Sequence, residues 1–129
     1  MDSLPENADD LQAALLFVSS DLFFAGKVTS TARELGLRVD IEGNLDRAQS
    51  IVREAGYRCV ILDLQTPGLV VADFVDALAE ENRPALIAFA SHVRSDLLEK
   101  ARRSGCDEVM PRSKLSATLP ALLQRYLDD

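Results

Sequence analysis

The stretch Cys59-Val60-Ile61-Leu62-Asp63-Leu64-Gln65-Thr66-Pro67-Gly68 decides the fold. Its first four residues form a continuous apolar run bounded by turn signals, which predicts a central strand buried on both faces. Pro67-Gly68 then turns the chain. Asp63 stands between them, at the C-terminal tip of the strand. Open α/β sheets place their ligand chemistry at such tips.

Working outward, short apolar runs alternate with helical patterns. On the N-terminal side, Leu15-Leu16-Phe17-Val18 reads as a first strand. Residues 21–35 carry apolar side chains at helical spacing, from Leu22 and Phe23 through Val28 and Ala32 to Leu35, and Gly36 stops the helix. Of Phe23 and Phe24, one is expected in the core and the other as an exposed aromatic anchor. Leu37-Arg38-Val39-Asp40-Ile41 alternates like a half-buried edge strand. Asn44 then caps a helix holding Leu45, Ala48, Ile51, Val52 and Ala55, which ends at Gly56.

On the C-terminal side, residues 70–80 read as a helix with Phe74 and Leu78 inward. Pro84 opens the strand Ala85-Leu86-Ile87-Ala88-Phe89-Ala90. Residues 93–104 form a helix closed by Gly105. Glu108-Val109-Met110 is a short last strand, and Ser113 or Ser116 caps a final helix containing Leu119, Leu122, Leu123, Tyr126 and Leu127. Five strands alternating with five helices, joined by short connections and right-handed crossovers, make a parallel sheet with helices on both faces. One domain is expected over residues 13–129, after a flexible acidic leader at 1–12.

Composition narrows the function classes. The chain has 129 residues, 47% of them hydrophobic, which suffices for one core. No apolar run approaches the roughly 20 residues of a membrane span, and the acidic start lacks the features of a signal peptide. A net charge of −7 opposes nucleic-acid binding, which needs a clustered basic surface. Lys100, Arg102 and Arg103 read as a solvated helix face. Cys59 and Cys106 have neither CxxC spacing nor a histidine cluster, so buried free thiols in a reducing cytoplasm are expected. His92 is the only histidine. It reads as a solvated helix start, with a site-lining role as the alternative.

The order of elements, Val60-Ile61-Leu62-Asp63-Leu64 followed by Pro67-Gly68, and Ala101-Arg102-Arg103-Ser104-Gly105-Cys106-Asp107-Glu108 before the last strand together resemble a response-regulator receiver domain. The resemblance spans residues 13–127. It implies a flavodoxin-like, doubly wound, five-stranded parallel sheet of order 2-1-3-4-5, with the switch point between the first and third strands. A working receiver accepts a phosphoryl group from a histidine kinase on an aspartate, and Asp63 holds the matching position.

Four supporting groups implied by the resemblance are altered here. The acidic pair that holds Mg²⁺ at the first strand tip is matched by Ser19 and Ser20, and hydroxyls are poor Mg²⁺ ligands. Asp21, one residue on, reads as a helix cap. The hydroxyl that binds the phosphoryl group from the fourth strand is matched by Ala90; Ser91 follows, and neighbouring strand residues point to opposite faces. The lysine of the fifth strand is matched by Arg112, which keeps the charge and changes the geometry. The proline that normally follows is Ser113, while Pro111 precedes. Val109 replaces the aromatic switch residue.

The expected reading is a degenerate receiver, or pseudo-receiver. Such a module signals by binding a protein, has no enzymatic activity and no cofactor, and binds neither nucleic acid nor membrane. The protein bound would be a histidine kinase, an output protein or a second copy of the chain. By the same resemblance, the partner surface includes Arg94, Asp96, Lys100, Arg103, Lys114 and Tyr126. One alternative keeps Mg²⁺-dependent phosphorylation of Asp63 in a phosphorelay. Another is a small-anion or metabolite sensor using the crevice of Ser19, Ser20, Asp63, Ser91 and Arg112. For Asp63 itself, the residues leave open a pairing with Arg112 or a cap on the following turn.

Overall fold

The computed structural model describes residues 14–78, 81 and 83–127; the expected leader lies outside them. The elements run β1 (Leu15–Val18), α1 (Leu22–Glu34), β2 (Val39–Glu42), α2 (Leu45–Glu54), β3 (Cys59–Asp63), α3 (Val71–Asp76), β4 (Ala85–Ala90), α4 (Ser95–Arg103), β5 (Glu108–Pro111) and α5 (Arg112–Leu127). All strand pairs are parallel, in the order β2-β1-β3-β4-β5. This is the doubly wound α/β sheet expected from the sequence.

Strand alternation splits the core into two layers. Leu16, Val18, Val60, Leu62, Leu86, Ala88 and Ala90 face one way, onto Ala48 and Val52 of α2, Phe74 of α3, and Leu98 and Ala101 of α4. Leu15, Phe17, Cys59, Ile61, Ile87, Phe89 and Met110 face the other, onto Phe24, Val28 and Ala32 of α1 and Leu115, Leu119 and Leu123 of α5. β1, β3 and β4 are covered on both faces, so their sequences read as unbroken apolar runs. β2 is an edge strand and is only half-buried.

The element ends follow local chemistry. Asn44 caps α2 through the Arg47 amide at 2.9 Å. Gly36 and Gly105, just past the ends of α1 and α4, take φ of 75° and 94°, which other residues adopt only with strain. The start of α5 differs from expectation. The helix begins at Arg112, directly after β5, and Ser113 and Ser116 lie within its first turns rather than capping it. α3 is also shorter than the 70–80 pattern suggests. No helix among the described residues is long and apolar enough to cross a membrane.

Candidate functional site

The C-terminal tips of β1 and β3 meet at Asp63. In β3, Asp63 follows Cys59 and Ile61 in alternation, so it faces the α1–α5 layer. Ser19, just beyond β1, follows Leu15 and Phe17 onto the same face. The Ser19 amide donates to the Glu42 carbonyl at 3.1 Å, which prolongs the β1–β2 pairing by one residue. Gly43 permits this packing: a Cβ there would sit 3.2 Å from the Ser19 carbonyl oxygen.

Ser19 and Asp63 are 2% and 3% exposed, and they bind each other. Ser19 Oγ donates to Asp63 Oδ2 at 2.7 Å and accepts the Asp21 amide at 3.0 Å. Asp63 Oδ1 accepts the Gln65 amide at 2.9 Å, closing the turn after β3. Both carboxylate oxygens are therefore engaged by neutral donors, which satisfies a buried acceptor that would otherwise be costly. Ser20 is exposed and does not join this network.

Asp21 performs the capping role read from the sequence. Its Oδ1 accepts the Phe23 and Phe24 amides, each at 3.1 Å. Its Oδ2 lies 3.8 Å from Nη2 of Arg112. Of the two roles open for Asp63, the turn cap holds and the pairing with Arg112 does not, because Arg112 pairs with Asp21. The guanidinium carbon lies 5.8 Å and 5.6 Å from the ring centres of Phe24 and Phe89, a cation–π seat for a planar fork. Its Nε is buried without a hydrogen-bond partner.

The β4 tip corrects a second expectation. Ala90 packs in the layer facing α2, α3 and α4, away from Asp63. Phe89 is the β4 residue in register with Asp63, and it packs in the same layer as α1 and α5. Its ring stacks on Phe17, with centroids 5.9 Å apart, and meets Phe24 at 5.2 Å. An apolar ring thus occupies the place sought for a hydroxyl. Ser91 ends the strand; its amide donates to Gln65 Oε1 at 2.8 Å, tying the β3–α3 and β4–α4 connections together. Val109 is half-buried against the α2–α4 layer.

Sequence reading missed the Phe17–Phe24–Phe89 cluster and Thr66. Thr66 is 3% exposed, and its Oγ1 has no hydrogen-bond partner. Only three-dimensional register reveals either. Among the described residues, no three His, Cys, Asp or Glu side chains form a group that could hold a metal ion. The thiols are free, and Cys106 is less buried than expected. Desolvation, reinforced by Asp107, pushes Cys59 up to about 12. Burial pushes Cys106 up to about 11, against the opposing charge of Arg83. Both thiols are therefore poor nucleophiles at neutral pH.

The remaining surface features are simple. Phe24 is buried, whereas Phe23 and Leu22 are 95% and 79% exposed at the start of α1. On the surface expected to meet partners, Arg94 pairs with Asp96 at 3.1 Å and Arg103 with Glu99 at 3.2 Å. The Tyr126 hydroxyl donates to Glu108.

The sheet order is the flavodoxin-like order that receiver domains share, with a buried carboxylate at the β3 tip, and the resemblance read from the sequence is borne out by known proteins. The relatives agree. The chain is 28% identical over 114 residues to a response regulator receiver protein of Anaeromyxobacter sp. (strain Fw109-5), covering 88% of this chain and 45% of that protein. It thus spans about half the length of that relative. Among solved structures, a signal receiver domain from Bermanella marisrubri matches with a TM-score of 0.77 and 20% identity, over 91% of this chain and 100% of that one. The receiver domain of a sensor histidine kinase from Pseudomonas aeruginosa PAO1, with a magnesium ion in its active-site cleft, matches with a TM-score of 0.77 and 21% identity, over 92% and 99%. No family model matches the chain.

Proposed function

We propose that this chain is a degenerate receiver that signals by binding a protein partner, without efficient Mg²⁺-dependent phosphorylation of Asp63. The observation that carries the reading is the 2.7 Å hydrogen bond from Ser19 to Asp63. A receiver needs a second carboxylate beside the aspartate to hold Mg²⁺; here the neighbour is a hydroxyl, and it donates into the carboxylate. Asp21 is the nearby acid, and its oxygens serve the α1 amides and Arg112. This donor set does not fit Mg²⁺, which in phosphoryl-transfer sites keeps carboxylate and phosphate ligands in near-octahedral geometry.

Phosphoryl transfer depends on positioning and charge neutralisation. An anionic phosphodonor approaching Asp63 meets a carboxylate with neutral partners and an apolar Phe89 beside it. Arg112 lies beside Asp21 over the rings of Phe24 and Phe89 and makes no ion pair with Asp63. The reading is non-enzymatic and cofactor-free, and it places the chain in two-component signalling on the strength of its relatives. Leu22 and Phe23 supply the apolar contact for a partner: a fully exposed aromatic ring is costly to leave in water and is a common interface anchor.

Amide NMR spectra recorded with Mg²⁺ alone, and then with beryllofluoride, test the proposal. The expected result is no cluster of shifted resonances at Ser19, Asp63 and Gln65. Shifts centred there and lost in Asp63→Asn would overturn it.

A further inference from the structure

We infer that the groove between α1, the β4–α4 connection and the first turns of α5 binds a small anion of the phosphate class, at a site separate from Asp63. The groove has a volume of about 410 Å³ and is lined by Phe24, Lys27, Ser91, His92, Arg112, Ser113 and Ser116. That volume lies within the roughly 300–1,000 Å³ of ordinary small-molecule pockets. It contains two full positive charges, an imidazole and three hydroxyls, and no carboxylate lines it. The chain as a whole carries a net charge of −7, so this concentration of cations runs against its bulk charge.

These groups are also available. No hydrogen bond or ion pair among the described residues uses the Lys27 ammonium, the His92 ring, or the Ser113 and Ser116 hydroxyls. Arg112 is only partly satisfied: its contact with Asp21 is 3.8 Å, longer than a hydrogen bond, and its buried Nε has no partner. The rings of Phe24 and Phe89 hold its plane in place, so little ordering is needed before it meets a ligand. Asp21 offsets part of this charge but leaves Lys27 uncompensated. Because α5 begins at Arg112, its first free amides add donors at the same end of the groove. Tetrahedral oxyanions match this set: hydroxyl and guanidinium donors bind their oxygens, and the ammonium supplies a point charge.

The test is an amide NMR titration with inorganic phosphate at constant ionic strength, balanced with potassium chloride. Saturable shifts confined to the Lys27, Ser91, His92, Ser113 and Ser116 region are expected, unchanged in Asp63→Asn. Lys27→Ala and Ser116→Ala sit on α1 and α5 away from the core, and each should weaken apparent affinity about three- to tenfold, the scale of one ordinary solvent-accessible hydrogen bond. Thermal melts of the anion-free variants check that both fold. Shifts that chloride reproduces, shifts centred on Ser19 and Asp63, or an affinity unchanged in both folded variants would overturn the inference.

Discussion

The body of β3 and its tip are adjacent in the chain and obey different constraints. From Cys59 to Leu62 every side chain is fully buried and alternates cleanly between the two packing layers. Interiors are packed like organic crystals, so replacements there are felt at once. The tip is buried too, but its side chain is held by hydrogen bonds, one of them from the end of a neighbouring strand. A hydroxyl from Ser19 and an amide from Gln65 each donate to one oxygen of Asp63. The packing of the strand and the hydrogen bonding of its tip therefore rest on different residues, so one can change without the other.

Three substitutions would break or sharpen this contrast. The largest effect belongs to the strand body: Ile61→Ala should cost about 2–5 kcal/mol, read from the urea unfolding midpoint. A loss below 1 kcal/mol would mean that the strand interior is not rigidly packed. The tip comes next. Ser19→Ala removes one of the two side-chain acceptor contacts of buried Asp63 and should cost roughly 1–3 kcal/mol by the same measurement. A neutral or stabilising result would show that Asp63 prefers water to Ser19, and would weaken the claim that the site has been rebuilt around a hydroxyl. The smallest effect lies outside both regions: Phe23→Ala should alter stability by no more than about 0.5 kcal/mol, since the ring touches little. A larger loss would place Phe23 in the fold rather than at an interface.

Much of the fold was legible because it is written in short-range patterns. The apolar run before Asp63, the strand Ala85–Ala90 and the glycines at 36 and 105 reappear where the pattern set them. The candidate site was legible only in part. Asp63 at the tip and Asp21 as a cap came from local chemistry. Ala90 was chosen by position along a motif, and a shift of one residue in a strand exchanges its faces, so Phe89 took the place expected for Ala90. The partner of Arg112 was hidden because Phe24, Phe89 and Asp21 come from distant elements that only the folded sheet brings together. Ser113 and Ser116 resembled caps, yet α5 starts directly from the strand and leaves them facing a groove.

The bond from the Ser91 amide to the Gln65 side chain has a mechanical consequence. It staples two loops that in isolation would open and close independently, across the mouth of the sheet. The bond limits how far the two loops can part. Ordering these two linked loops around any bound group would cost less conformational entropy than ordering two unlinked ones.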